Sequence, residues 1–321
     1  MSAVNQQEVL ASFKLLVCMA NADGKLLDEE RNSITEAFSE IQLPEGVTVD
    51  SLLSEQVEVD ELLTHITSDT AQELAYQSAF AMANIDGDCS PEEQELLEKI
   101  GATFTTSRLW GKEEWLKNLQ RKSKKSTISQ QVQQITDPVK REIEVENEIT
   151  DACFFNAVLG AFPLPGISIA FDVYVYWNQL DLVQSIGERW GYDRAHQSAD
   201  LKKALFGSLG MTGTRIAVSN LAKLVPVFGI VVGATTAFAS TWAIGKVANQ
   251  YFASGCEMDA FRLKEAFKNA KKEGESVYKD KAEAIAAKQK EIEPQVKALS
   301  EDLAAGRITQ EEHQAKLREL V

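Results

Sequence analysis

Two stretches of the chain decide its fold: MANADGKLLDEE at residues 19–30 and MANIDGDCSPEE at residues 82–93. They align without a gap at an offset of 63 residues, and Met, Ala, Asn, Asp, Gly and two Glu coincide. Such a match indicates an internal duplication, so we expect two structurally equivalent units in the N-terminal part of the protein.

Each stretch lies between apolar residues at helical spacing, with Phe13 and Leu16 before the first copy and Phe80 before the second. The second copy also carries a helix start, because Ser90-Pro91 and a Glu three residues after the serine form a capping box with proline at the first helical position. Asp-Gly supplies the turn, where glycine adopts a backbone conformation that a Cβ would penalise. The pattern predicts a pair of helix–turn–helix units.

The acidic turns resemble a Ca²⁺-binding loop only in part. Gly and Glu fall at the sixth and twelfth loop positions in both copies, as in an EF-hand. The first position is Met19 or Met82, which cannot ligate Ca²⁺, so an ordinary EF-hand is disfavoured. Two interpretations stay open: the acidic side chains cap helix N-termini, where the helix dipole favours anions, or they gather around a divalent cation.

The tandem MA-x-x-DG…EE pattern resembles the TerB-like family, helical domains associated with tellurite resistance and stress responses. The resemblance covers about residues 5–108. It implies a divalent-cation site for Ca²⁺, Mg²⁺ or Mn²⁺ formed by acidic side chains of both turns. The matching positions are Asp23, Glu30, Asp86 and Glu93, with Glu29 and Glu92 as further candidates. Lys25 stands where the second copy has Asp88, so the two half-sites carry unequal charge.

The charge of the chain is unevenly distributed. Residues 1–108 hold 21 Asp and Glu against 5 Lys and Arg, a net charge of −16, whereas the rest of the chain carries +1. Nucleic acid is therefore not an expected partner, because phosphate binding needs clustered basic residues. Four widely spaced cysteines and the absence of a secretory signal at the start predict a cytoplasmic protein with free thiols, at most at the inner face of the inner membrane.

The segment 112–125 is basic, contains Trp115 and lies beside Trp110. A Lys/Arg cluster with tryptophan is what an anionic lipid surface attracts, but a solvated linker helix is an equal alternative.

The middle of the chain contains two uncharged runs, residues 152–171 and 224–245. The second reaches the length of a membrane-spanning helix, but prolines and glycines interrupt both runs, which favours helical hairpins. A stripe of small residues lets another helix approach closely; it comprises Gly229, Gly233, Ala237, Thr241 and Gly245. Because close packing also occurs in water-soluble bundles, membrane association of residues 149–256 and a self-burying domain both stay open.

This middle part resembles the YcjF/EcsC-type domain. The resemblance rests on FPLPG at residues 162–166 with the apolar helix that follows it, the pair Tyr192–Asp193, and the stretch TAFASTWAIGKVANQYFASG. The resemblance implies an association with GTPases and with bacterial inner membranes, and no catalytic residues come with it.

The C-terminal part is highly charged and helical in pattern. Its last stretch resembles the SHOCT motif, with Gly306, Ile308, an N-cap at Thr309 and a capping box closed by Glu312. That family usually has an aromatic residue where His313 stands. The resemblance implies oligomerisation or docking through this tail.

No catalytic constellation is visible. The chain has no G-x-x-x-x-G-K-[ST] loop, and its three histidines lie in unrelated segments, which predicts surface or helix-face roles for them. We therefore expect an all-α, non-enzymatic binding or scaffold protein of a bacterial stress or envelope system, with a protein partner such as a GTPase. A metal-dependent enzyme using the acidic turns is the alternative.

The expected domains are a TerB-like acidic helical domain at 1–110, a charged helical linker at 111–148, an apolar hairpin domain at 149–256 and a charged helical tail at 257–321.

Overall fold

The structure is a computed structural model. It describes residues 5–22, 28–39, 41, 43, 46–54, 57–84, 89–104, 133–160, 162, 168–192, 213–222, 224 and 230–321.

The prediction of an all-α fold is confirmed, because every regular element among the described residues is a helix. These helices are α1 (Gln6–Ala20), α2 (Asp28–Ser39), α3 (Val49–Ser54), α4 (Val59–His65), α5 (Asp69–Asn84), α6 (Pro91–Thr103), α7 (Pro138–Gly160), α8 (Ser168–Trp190), α9 (Gly213–Ala222), α10 (Ile230–Ala253), α11 (Ala260–Ala304) and α12 (Gln310–Leu320).

The helices form two compact units. Unit 1 contains α1 to α6 and also α9, and unit 2 contains α7, nearly all of α8, and α10 to α12. The chain therefore leaves unit 1 after α6, builds part of unit 2, returns to unit 1 for α9 and then completes unit 2.

Unit 1 has a core in which α1 and α5 are central. Helix α1 packs against α3, α4, α5 and α9, and the ring of its Phe13 meets Phe38 of α2 edge-on at 5.4 Å between centroids. Aromatic pairs in this geometry stabilise beyond their buried area. The face of α5 toward the core is lined with alanines, Ala71, Ala75 and Ala79 among them, and each is at most 1% exposed.

Unit 2 is built on close, antiparallel packing of α7 and α10. A Cβ added at Gly160 would lie 2.8 Å from the Cβ of Ala237 and 3.2 Å from the carbonyl oxygen of Gly233. A Cβ added at Gly245 would lie 2.5 Å from Cγ1 of Ile149. The small-residue stripe of α10 therefore lets α7 approach closely, which confirms the sequence prediction for its members between 233 and 245; Gly229 lies outside the described residues.

The two units divide the chain differently from the sequence-based domains. Helix α7 runs continuously across the expected boundary at 148/149, because its charged N-terminal half and apolar C-terminal half share one buried face, with Val145 and Ile149 at most 1% exposed. Helix α9 falls inside the expected 149–256 domain but packs in unit 1.

The charged tail is likewise part of unit 2. Helix α11 packs along α10 and α7, and its buried side chains extend from Leu263 to Leu303. The charged residues of α11 lie on its solvated face, and most of its large apolar residues lie on the buried one.

Neither uncharged run forms one helix. The run 152–171 is shared between α7 and α8, and α10 begins only at Ile230. Within the described part of the chain, no helix combines the length and apolar character needed to cross a membrane.

Candidate functional site

The duplicated turns each lie between an entering and a leaving helix. Helices α1 and α2 flank the first turn, and α5 and α6 flank the second. Helix α6 begins as expected: the Ser90 hydroxyl accepts from the backbone N–H of Glu93 at 3.1 Å, and the Glu93 carboxylate accepts from the N–H of Ser90 at 2.8 Å. The helices expected on both sides of each turn are therefore present, and residues 23–27 and 85–88 of the turns lie outside the described residues.

Glu8 joins the N-termini of the two entering helices. Its Oε1 accepts from the backbone N–H groups of Thr67 and Ser68, at 2.9 and 2.6 Å, and from the hydroxyl of Thr67 at 2.9 Å. Its Oε2 accepts from the N–H of Asn5 at 3.1 Å, which closes the capping box of α1. A buried carboxylate is thus held at the start of both α1 and α5, where backbone N–H groups and helix dipoles favour it.

The electrostatics of Glu8 follow from these contacts. Burial alone would raise the pKa of its carboxyl group, but the hydrogen bonds from Asn5, Ser68 and Thr67 outweigh burial and lower the pKa to about 2. The side chain is 2% exposed and ionised at neutral pH. It is a structural clamp, and sequence reasoning missed it because its partners lie about 60 residues away.

The clamp determines where the turns emerge. Since α1 and α5 pack against each other and both start at Glu8, they run in the same direction. They have 15 and 16 residues, so their C-terminal ends, at Ala20 and Asn84, lie at the same end of unit 1. Both acidic turns therefore begin at that end.

The predicted site residues are described only in part. Asp23 and Asp86 lie outside the described residues, as do Lys25 and Asp88, and Glu30 is described only as backbone within α2. The remaining member, Glu93, caps α6. Within the described ranges, no group of three or more His, Cys, Asp or Glu side chains is arranged to hold a metal ion. The proposed cation site would thus need the residues between α1 and α2 and between α5 and α6.

Unit 2 contains a buried polar network that sequence reasoning did not find. Asn156 of α7 donates to the hydroxyl of Thr241 on α10 at 2.8 Å, and Gln179 of α8 donates to the same hydroxyl at 2.9 Å. Asn178 donates to Oδ1 of Asn156 at 2.9 Å, and Thr241 donates to the carbonyl of Ala237 at 2.7 Å. The network joins three helices and fixes their register, because a shift of any helix would leave a buried polar group unpaired.

His313 is buried, so the prediction of a surface role is wrong for this residue, which lies on the buried face of α12. The side chain is 0% exposed, Nδ1 lies 3.0 Å from the hydroxyl of Tyr174, and the ring packs near Phe171 and Tyr174 of α8. Burial lowers the pKa of its imidazole to about 4, so the ring is neutral at pH 7. The SHOCT resemblance implied an aromatic residue at this position, and that expectation would have predicted a buried side chain here.

The sequence predicts docking or oligomerisation through the tail, and in the structure the tail helix α12 packs against its own chain. Its Leu317 is 0% exposed in unit 2, and its Arg318 lies 3.3 Å from Asp181 of α8. In this conformation α12 docks on its own chain.

The chain matches no protein-family model, no curated protein and no solved structure.

Proposed function

We propose that the protein is a non-enzymatic binding and scaffold protein. Unit 1 binds a divalent cation (Ca²⁺, Mg²⁺ or Mn²⁺) or a basic partner surface at its paired acidic turns, and unit 2 is the helical scaffold that adjoins a membrane or a partner such as a GTPase. The single observation that supports this role most is the parallel alignment of α1 and α5 by Glu8, which starts both turns at one end of unit 1.

The charge of the N-terminal part supports the same role. Residues 1–108 carry a net charge of −16. Carboxylates that come close together repel one another, and a bound cation relieves that repulsion. A basic protein surface would do the same, with an affinity that falls as the salt concentration rises.

Glu93 sets a constraint on the cation site. Its Oε2 already accepts from Ser90, so a bound cation would take the other carboxylate oxygen or compete with the cap. A cation that ligates Glu93 should therefore alter the start of α6, which makes the amides of α6 a local reporter of binding.

The test is calorimetric titration of the full-length protein, stripped with chelator, with Mn²⁺, Ca²⁺ and Mg²⁺. We expect binding of at least one cation, a higher melting temperature in its presence, and loss of both effects in the double variant Asp23→Asn/Asp86→Asn. The matched control is Glu61→Gln/Glu95→Gln, which removes the same charge from exposed positions of α4 and α6.

The outcomes separate the alternatives. If the control variant loses cation binding to the same extent, the effect is one of nonspecific charge. If the unchanged protein binds none of the cations, the acidic residues of the turns act only as helix caps. Hydrolysis of nucleotides, esters or phosphoesters that disappears in Asp23→Ala/Asp86→Ala would support the metal-dependent enzyme instead. Co-sedimentation of the full-length protein with anionic liposomes tests the membrane-proximal part of the proposal.

A further inference from the structure

Helix α9 occupies a cleft of unit 1 that is built by helices far away in sequence. It packs against α5, α2 and α1, whereas the helices before and after it in the chain, α8 and α10, belong to unit 2. The ten-residue helix Gly213–Ala222 begins more than 100 residues after the end of α6. Unit 1 thus holds a helix supplied by a different part of the chain.

The contact has the composition of a recognition surface. The side chains of α9 that face unit 1 are Ala217, Val218, Leu221 and Ala222, each at most 1% exposed. The large side chains of the core of unit 1 come from the other helices, among them Phe13, Phe38 and Leu15. Large side chains of the core thus come from α1 and α2, and α9 contributes small and medium-sized side chains that are completely buried against them.

One polar side chain positions α9 in the cleft. Asn220 is 0% exposed, donates to the hydroxyl of Ser78 on α5 at 2.9 Å, and lies 3.5 Å from the carbonyl oxygen of Leu74. A buried amide in an apolar contact discriminates between registers, because any other placement would leave it unpaired.

Helix α9 is so short that its helical structure depends on its contacts in the cleft. An isolated helix of ten residues is not stable in water, so α9 gains its helical structure from tertiary contacts. This is the behaviour of a peptide that lies with its apolar face in a groove and folds as it binds.

We infer that the cleft formed by α1, α2 and α5 is a helix-recognition site and that α9 is its bound ligand within the same chain. The site fits, in trans, a short amphipathic helix with the same face: small and medium-sized apolar side chains around one buried asparagine. The inference does not depend on whether the turns bind a cation. When α9 leaves the cleft, the site becomes open to such a helix.

The test uses the full-length protein and a fluorescent synthetic peptide with the sequence of residues 211–226. Leu221→Asp places a carboxylate in the cleft and should release α9, whereas Ser219→Asp adds the same charge on the exposed face of α9 and serves as the control. We expect fluorescence anisotropy to show at least tenfold tighter peptide binding to Leu221→Asp than to Ser219→Asp or the unchanged protein. A peptide carrying Asn220→Leu should bind the Leu221→Asp protein at least tenfold more weakly than the unchanged peptide.

Hydrogen exchange measured by mass spectrometry decides between the remaining outcomes. If α1 and α5 keep their protection in Leu221→Asp and the peptide binds, the cleft is a recognition site. If they keep their protection and the peptide does not bind, the cleft is not such a site. If α1 and α5 lose their protection together with α9, then α9 is an inseparable part of one cooperative core, and the inference is wrong.

Discussion

Replacing Glu8 with glutamine tests the clamp that aligns α1 and α5. The change keeps the shape of the side chain but removes the charge that accepts hydrogen bonds from Asn5, Thr67 and Ser68. It also places the amide N–H₂ group of glutamine beside the backbone N–H of Asn5 or beside those of Thr67 and Ser68, each of which needs an acceptor. We expect both helices to open more often, starting from their shared N-terminal end.

The magnitude follows from the pKa of Glu8. The pKa falls from an ordinary 4.5 to about 2 in the folded protein, and at about 1.4 kcal/mol per pKa unit this corresponds to at most ~3.5 kcal/mol. Glutamine keeps one acceptor oxygen, which can still accept part of these hydrogen bonds. We therefore expect a loss of about 2 kcal/mol, or about thirtyfold in the opening constant.

The pH dependence has a definite sign. Because the folded pKa lies below the unfolded one, the stabilisation by Glu8 is complete above about pH 4.5 and is lost as the pH falls toward about 2. The Glu8→Gln variant should show a correspondingly weaker loss of stability in this range.

The assay is native-state hydrogen exchange of the full-length protein, read by mass spectrometry for peptides of α1 and α5. Local opening free energies are preferable to one global value, because a chain with two units need not unfold in a single step. Glu61→Gln, an exposed change on α4, is the control. Unchanged protection of α1 and α5 in Glu8→Gln would refute the clamp and, with it, the argument that both turns start at one end.

Three further predictions concern unit 2. Gly245→Ala should cost about 1–2 kcal/mol net, because overpacking against Ile149 outweighs the higher helix propensity of alanine; thermal unfolding followed by circular dichroism checks this against Thr236→Ala, an exposed change on α10. Asn156→Leu should cost about 1–3 kcal/mol, because it leaves buried polar partners unpaired; denaturant unfolding followed by tryptophan fluorescence measures it. The docking of α12 should weaken as the pH falls from 6.5 toward about 4, because the imidazole of a detached His313 binds a proton more readily than the buried one. Hydrogen exchange of α12 should show this pH dependence in the unchanged protein and not in His313→Phe.

Each of these predictions has an outcome that would contradict its physical reason. Equal melting temperatures for Gly245→Ala and the unchanged protein would mean that α7 moves away from α10 at little cost. An Asn156→Leu protein as stable as the original would mean that the polar network does not hold the helices in register. A pH-independent α12 would mean that the buried imidazole accepts a proton without leaving its site.

Local and periodic features of the chain could be predicted from its sequence. The duplication could be recognised because the two turn motifs share residues at one fixed offset. The close contact of α10 with another helix could be predicted because small residues recur every fourth position, which places them on one helical face. Residues Gly233 to Gly245 meet α7 for that reason.

Features that depend on distant partners could not be predicted in this way. Glu8 looked like one more acidic residue of a first helical turn, and its second set of partners lies near residue 67. Asn156 and Thr241 are 85 residues apart, and nothing near either of them indicates the other. Helix α9 has the small, apolar composition of its neighbours in the chain, so its membership in unit 1 follows only from tertiary packing.

The interrupted path of the chain also bears on its synthesis. During translation, α1 to α6 leave the ribosome before α7 and α8, and α9 follows more than 100 residues after α6. At a rate of roughly 5–20 residues per second, the cleft of unit 1 stays empty for on the order of 10 seconds, which is long compared with the formation of a helix. The nascent protein therefore exposes an apolar surface that fits a helix, and chaperones or a neighbouring nascent chain can bind it before its own α9 arrives.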